Sequence, residues 1–146
     1  MTEVTLLLGS NLGDRKAYID AALEALDKAF GDRRLRMTGI IETDAVGFDG
    51  PPFLNTVVVY STRRSPESVL HLCKRIERSL GRREVPEYGP DGNRIYHNRP
   101  IDIDILFHGE HCINTPVLTI PHPQVYSRAF VKQLLDSLPE LVKPSC

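Results

Sequence analysis

The chain has 146 residues, the span of one ordinary domain, and it is expected to form a single domain over residues 1–146. Hydrophobic residues make up 41% and charged residues 25%, which excludes a disordered tail and predicts a packed globule. The formal net charge of -1 argues against a dedicated nucleic-acid binder but leaves room for a small anion held by a local arginine cluster.

Val4 to Leu8 is a short apolar run bounded by Gly9-Ser10-Asn11 and reads as a buried strand. Asp14 is placed to cap a helix whose apolar positions Ile19, Ala22, Leu23, Leu26 and Phe30 fall at helical spacing, with Gly31 as its stop. Leu35, Met37 and Ile41 suggest a second strand, followed by the Gly/Pro loop "TDAVGFDGPP". "FLNTVVVYST" is a β-branched strand over 53–62. Ser65-Pro66 is a cap followed by a first-turn proline, and Val69, Leu72, Cys73, Ile76 and Leu80 make one helical stripe that ends at Gly81.

Residues 82–99, "RREVPEYGPDGNRIYHNR", have no clean period, and a loop of that length is usually functional or disordered. Ile101, Ile103, Ile105 and Phe107 then alternate as on a strand, which puts Asp102, Asp104 and Leu106 on the opposite face. A turn at His108-Gly109 and a brief strand near Cys112 and Ile113 follow. "LTIPHPQVYSR" reads as extended, and Val131, Leu134, Leu135 and Leu138 as a last helix stopped by Pro139. The main order is strand, helix, strand, strand, helix, strand. It predicts an α+β, ferredoxin-like βαββαβ core, with a mostly antiparallel sheet and both main helices on one face. The other face would be covered by loops and the C-terminal segment, or left as a cleft.

Cys73, Cys112 and Cys146 are odd in number and far apart, with no metal-ligand spacing, so a reducing compartment is the simplest reading. The N-terminus lacks the basic flank of a signal peptide, and no stretch approaches the roughly 20 apolar residues of a membrane helix. These features predict a cytoplasmic protein with no membrane partner, and a monomer by default.

Two carboxylates at i and i+2 stand roughly 7 Å apart at the Cα on one strand face. Asp102 and Asp104 can therefore grip Mg²⁺, which prefers oxygen ligands and completes its shell with water and phosphate. The plain alternative is a solvated acidic face. Arg82, Arg83, Arg94 and Arg99 before the strand, and His122 and Arg128 after it, supply the cations that phosphoryl transfer needs. Each of them alone is an ordinary surface or loop residue. No P-loop and no G-x-G-x-x-G occurs, and "GSNLGD", flanked by glycines, reads either as a weak phosphate loop or as an ordinary strand-to-helix turn. Phe53 and Asn55 share a strand face and can stack on and hydrogen-bond a flat heterocycle, or else serve as core and edge.

"LLLGSNLGDR", "FLNTVV", "RIERSLGR", "RPIDIDIL", "LTIPHP" and "SRAF" follow one another in an order that resembles the 6-hydroxymethyl-7,8-dihydropterin pyrophosphokinase family of folate synthesis over nearly the whole chain. The resemblance implies transfer of the β,γ-pyrophosphoryl unit of ATP to the pterin hydroxymethyl oxygen, with release of AMP. It implies two Mg²⁺ ions on Asp102 and Asp104. It implies a pterin site of Asn11, Thr43, Val46, Phe53, Asn55, Tyr96 and Phe130, in which the two phenylalanines sandwich the ring. Glu77, Arg82, Arg99, His122 and Arg128 would line the ATP side, with Arg82 and Arg99 catalytic beside the Asp pair. The loop 82–99 would close over both substrates. Three departures stand out: a longer loop with Glu84 where arginine is frequent, Tyr96 in place of a tryptophan, and Pro123 where tyrosine is common. A rival of another class is a non-catalytic ferredoxin-like module that binds RNA on its open face. The acids on that face count against it, as the intact motif set counts against an inactive relative.

Overall fold

The computed structural model describes residues 1–44, 50–81 and 100–146, together with the backbone of 87–88 and 94–95. Strand β1 (Thr2–Ser10) lies at the centre, antiparallel to β4 (Phe53–Thr62) on one side and to β7 (Asp102–His108) on the other. On the far side of β4 lie β2 (Arg34–Met37) and β3 (Ile41–Thr43). The main path β2-β4-β1-β7 is that of a ferredoxin-like α+β sheet. The expected second strand is in fact this pair, β2 and β3. Between them Thr38 turns inward and its hydroxyl bonds the Val57 amide at 3.0 Å, so the chain steps off the ladder and rejoins it. The minor pairs are β5 (Glu87–Tyr88) with β6 (Arg94–Ile95), and β8 (Ile113–Asn114) with β9 (Thr119–Ile120).

Helices α1 (Arg15–Ala29) and α2 (Pro66–Ser79) begin at the expected caps. The Asp14 carboxylate accepts from the Ala17 amide at 3.1 Å, and the Ser65 hydroxyl accepts from the Ser68 amide at 3.1 Å. Each such cap satisfies an amide the helix cannot. Both helices pack on one sheet face, burying Ile19, Leu26, Val69, Cys73 and Ile76 against Leu6, Leu8, Val58 and Ile103. The opposite face carries a smaller core. There Leu7, Val57 and Val59 meet Val131, Leu134 and Leu135 of α4 (Ala129–Asp136).

Three expectations need correction. Phe107 does not share a face with Ile103 and Ile105. The register of β7 against β1 slips between Thr5 and Leu6, and both Leu106 and Phe107 turn into the α4 core, as a β-bulge makes them do. The segment "LTIPHPQVYSR" is not extended throughout, because Gln124–Ser127 form a helical turn, α3, that starts after Pro123. Nor are all three cysteines separate thiols. The fold brings Cys112 and Cys146 together in a disulfide, which ties the C-terminal tail to the end of the β7–β8 turn. Cys73 alone is free and buried, and burial, with Glu77 and Asp104 nearby, pushes its thiol pKa up, out of reactive range.

His108 ends β7 fully buried, with Nε2 3.0 Å from the Arg64 carbonyl and Nδ1 without a hydrogen-bond partner. A carbonyl only accepts, so Nε2 carries the proton and the ring is neutral. Burial holds its pKa below 6.5; neighbouring His111 lowers it further, while the Arg64 carbonyl and Glu67 oppose the shift. Below pH 6.5 the unfolded chain takes up this proton and the folded one does not. The stability contribution is therefore complete above 6.5 and falls as pH drops through it. His108→Gln retains a donor for the Arg64 carbonyl, and urea titrations from pH 7 to 5 should show a shallower acid loss. The difference should be at most about 1.4 kcal/mol per pH unit, one proton's worth. Parallel curves would assign the acid sensitivity to other groups.

Candidate active site

Register decides which residues share the α4 face of the sheet beyond the smaller core. Gly9 of β1 lies between Asn55 of β4 and Asp102 of β7, and Leu7 lies between Val57 and Asp104. Cross-strand partners share a face, so Asn55, Gly9 and Asp102 form one row. Neighbouring strands are about 4.8 Å apart, so the amide and the carboxylate stand on the order of 10 Å apart with a bare glycine between them.

At one end of the row, Asn55 is buried and its amide nitrogen donates to the Thr43 hydroxyl at 2.7 Å. Its Oδ1 then hangs over Gly9: a Cβ added there would meet it at 3.1 Å and the Phe53 ring at 3.4 Å. Gly9 is thus a floor, a role that a reading of "GSNLGD" as a turn does not see, because the ceiling belongs to another strand. Asn11 is buried and donates to the Pro51 carbonyl at 3.2 Å, while Arg15 bonds the Pro52 carbonyl at 3.0 Å and Glu42 at 2.9 Å. These bonds fix the chain that leads into Phe53. Phe130 enters from the first turn of α4, packed against the smaller core, and the Arg128 guanidinium sits 4.5 Å from its ring centre.

At the other end, Asp102 and Asp104 are half-buried at the mouth of a cavity of about 360 Å³. That volume lies in the range of small-molecule sites. Glu77 and His122 line it, as does Lys74, which was not among the expected site residues. Its signal was its place three residues before Glu77 on α2. Glu77 is buried and its Oε2 accepts from the Ile103 amide at 2.7 Å. β7 is an edge strand, so this amide points away from β1, and the carboxylate closes the edge between the two aspartates.

His122 follows the cis Ile120–Pro121 peptide, and its amide donates to the Leu106 carbonyl at 3.1 Å. Its Nδ1 accepts from the Gln124 amide at 3.2 Å, which leaves the ring proton on Nε2. Burial lowers its pKa and Asp102 partly restores it. Burial likewise lowers that of Arg128, against the pull of Asp104 and Asp102. Gln124 was missed altogether: its amide nitrogen donates to Asp104 Oδ2 at 2.9 Å and its carbonyl oxygen accepts from Arg128 at 3.1 Å.

The fold therefore gathers Thr43, Phe53 and Asn55 around one end of the row, with Asn11 bonded to the chain that leads into Phe53, while Phe130 lies under Arg128 on the smaller core. Glu77, Asp102, Asp104, His122 and Arg128 gather around the other. Val46, Arg82, Tyr96 and Arg99, with Arg83, Glu84 and the side chain of Arg94, lie outside the described residues, as does the expected closure of 82–99. Among the described residues no cluster of three or more His, Cys, Asp or Glu side chains could hold a metal by itself. Two carboxylates with room for water and phosphate still fit Mg²⁺, which seldom uses an all-protein cage.

A ferredoxin-like sheet with paired acids, a histidine and a lysine around a cavity of about 360 Å³ has the make-up of a small-molecule site. Comparison with known proteins narrows it. Residues 5–140 match the 7,8-dihydro-6-hydroxymethylpterin-pyrophosphokinase family, and the chain belongs to that family. A Porphyromonas gingivalis protein named 2-amino-4-hydroxy-6-hydroxymethyldihydropteridine pyrophosphokinase is 42% identical over 146 residues, covering 99% of this chain and 95% of that protein. The Bacillus subtilis protein of the same name is 37% identical over 127 residues, 86% of this chain and 71% of its own. The mitochondrial folate synthesis bifunctional protein of Pisum sativum is 39% identical over 137 residues, 93% of this chain but 25% of the pea protein.

The floor argument gives a direct test. Gly9→Ala pushes a methyl group under Asn55 and Phe53 while leaving the acids alone. It should raise the KM for the heterocyclic substrate by about tenfold, the scale of one misplaced methyl in a tight site. The KM for the nucleotide should stay within about twofold, in steady-state assays that vary each substrate separately. Equal rises would place the glycine's role in the strand rather than in the site.

Proposed function

We propose that this chain transfers the β,γ-pyrophosphoryl group of ATP to the hydroxymethyl group of 6-hydroxymethyl-7,8-dihydropterin, in folate synthesis. The alcohol oxygen forms a bond to Pβ, the bond from Pβ to the α–β bridging oxygen breaks, AMP leaves with that oxygen, and the hydroxyl proton is lost to solvent. The observation that carries the reading is the row Asn55–Gly9–Asp102 on one sheet face. It offers a heterocycle subsite and an acidic phosphate subsite roughly two strand spacings apart.

Asn55 Oδ1 presents an acceptor to the pterin N–H edge, with Phe53 and Phe130 supplying the faces for stacking. Asn11 and Thr43 act by holding the loop and the amide in place. Asp102 and Asp104 would hold two Mg²⁺ ions, which when bound neutralise triphosphate charge and align the groups. Neutral His122 offers Nε2–H, and Arg128 offers its guanidinium, to phosphate oxygens. Glu77 and Lys74 form the wall against which the nucleotide would rest. By their place in the sequence Arg82 and Arg99 are assigned to the triphosphate, and Val46 and Tyr96 to the pterin. Closure of 82–99 would keep water from the phosphates.

The first test is AMP release from ATP, with and without the pterin, in Mg²⁺ and in EDTA. AMP should appear only with both pterin and Mg²⁺. ADP in its place would mean a kinase of another kind, and no turnover by folded protein would favour a binding module. Asp102→Asn and Asp104→Asn should each lower kcat by at least about 10³-fold, the order of lost electrostatic stabilisation in such sites. Their melting temperatures should stay near the parent value. A near-parent rate in either would remove the metal role.

The sandwich is tested separately. Phe130→Ala removes a stacking face and should weaken pterin binding by about tenfold, the scale of an aromatic contact. ATP binding, followed by calorimetry on the same preparation, should change by less than about twofold. Equal losses for both ligands would contradict the arrangement.

A further inference from the structure

Gln124 touches three residues that face the cleft. Its side-chain nitrogen donates to Asp104 Oδ2, its side-chain oxygen accepts from Arg128 Nη1, and its backbone amide donates to His122 Nδ1. Its carbonyl also receives the Arg128 amide at 3.1 Å, so side chain and main chain hold the same arginine. We infer that Gln124 is a positioning residue: a neutral bridge that orients Asp104 and Arg128 and keeps the two from closing into a direct ion pair.

The chemistry favours an amide of this length. One end must donate to a carboxylate and the other must accept from a guanidinium, which a primary amide does without adding charge. A carboxylate at 124 would repel Asp104. A cation would pair with Asp104 and repel Arg128. Asparagine is one methylene too short to keep both contacts, and methionine fills the volume with neither.

If Asp104 and Arg128 met directly, each would spend its charge on the other. The carboxylate would lose its hold on a divalent cation, and the guanidinium its hold on phosphate. The amide keeps both charges in place, as preorganisation of a polyanion site requires. The inference rests on the proposed metal role of Asp104, and the experiment separates the two.

Gln124→Met and Gln124→Asn are compared with the parent protein and with Asp104→Asn. Mn²⁺ affinity is measured by calorimetry in the presence of the α,β-methylene analogue of ATP, which cannot donate its pyrophosphate. Melting temperature and both substrate KM values are measured alongside. The bridge predicts that both Gln124 variants weaken Mn²⁺ binding by about tenfold, the scale of losing a partner that orients a metal ligand. It also predicts a raised KM for ATP, with the pterin KM and the melting temperature near parent values. Mn²⁺ affinity within twofold of the parent in either folded variant would overturn the bridge. So would a uniform fall in melting temperature and in both substrate affinities. Unchanged Mn²⁺ affinity in Asp104→Asn would instead overturn the metal reading on which the bridge rests.

Discussion

The register of β1 between β4 and β7 is the constraint on which the rest depends. Nine consecutive residues of β1 pair with β4, and from Leu6 to Gly9 the same strand also pairs residue by residue with β7. Both helices and α4 pack on what this alternation presents. A slip of one residue would send Leu6 and Leu8 to the α4 face and Leu7 and Gly9 under the helices. The core residues hold the register, because Leu6, Leu8 and Val4 have no exposed surface. The site inherits it, since Gly9 can lie between Asn55 and Asp102 only while Leu8 lies between Thr56 and Ile103. Stability and the proposed function are thus linked through one pairing, and the apolar residues do the positioning.

β7 poses a second problem. It carries the acids and is also the edge of the main sheet, where unpaired amides need partners. Water would satisfy them but would also flood the cleft. Glu77 solves this at Ile103 with a buried carboxylate, a charge-assisted bond of the stronger kind. Removing one partner of a buried bond costs about 1–3 kcal/mol or more, so a change at Glu77 would disturb the strand before it disturbed any ligand. The aspartates on either side of Ile103 therefore sit on a stretch of backbone fixed from both edges.

Much of this was legible in the residues. Helix starts at Asp14 and at Ser65-Pro66 follow from local chemistry, and each cap bond forms within three residues. The shared face of Asp102 and Asp104 follows from the period of a strand. Contacts that depend on a second element were not legible. The bulge at Leu106 arises from pairing with Thr5 and Leu6, and the floor at Gly9 is defined by Asn55 and Phe53 above it. Cys112 and Cys146 are separated by 34 residues, and only the return of the tail after α4 joins them. Gln124 was hidden most deeply. Its sequence gives a polar residue after two prolines, and its meaning appears only when the turn of α3 brings it back over β7.

On the α4 face the smaller core includes Leu7, and one step further along β1 Gly9 stands in the row with Asn55 and Asp102. Eight residues make α4 a helix of about 12 Å, which packs on Leu7, Val57 and Val59. A shorter one would leave Leu7 and Val57 exposed and Phe130 unsupported. Arg128 and Phe130 stand where the helix starts, so two of the proposed ligand-binding residues are anchored by the element that completes the core. The bulge in β7 serves the same division, because it turns both Leu106 and Phe107 under α4 just past the point where Asp104 faces the cleft. In a strand of strict alternation only one of them would reach that core, and the acids would stand on a less firmly seated strand.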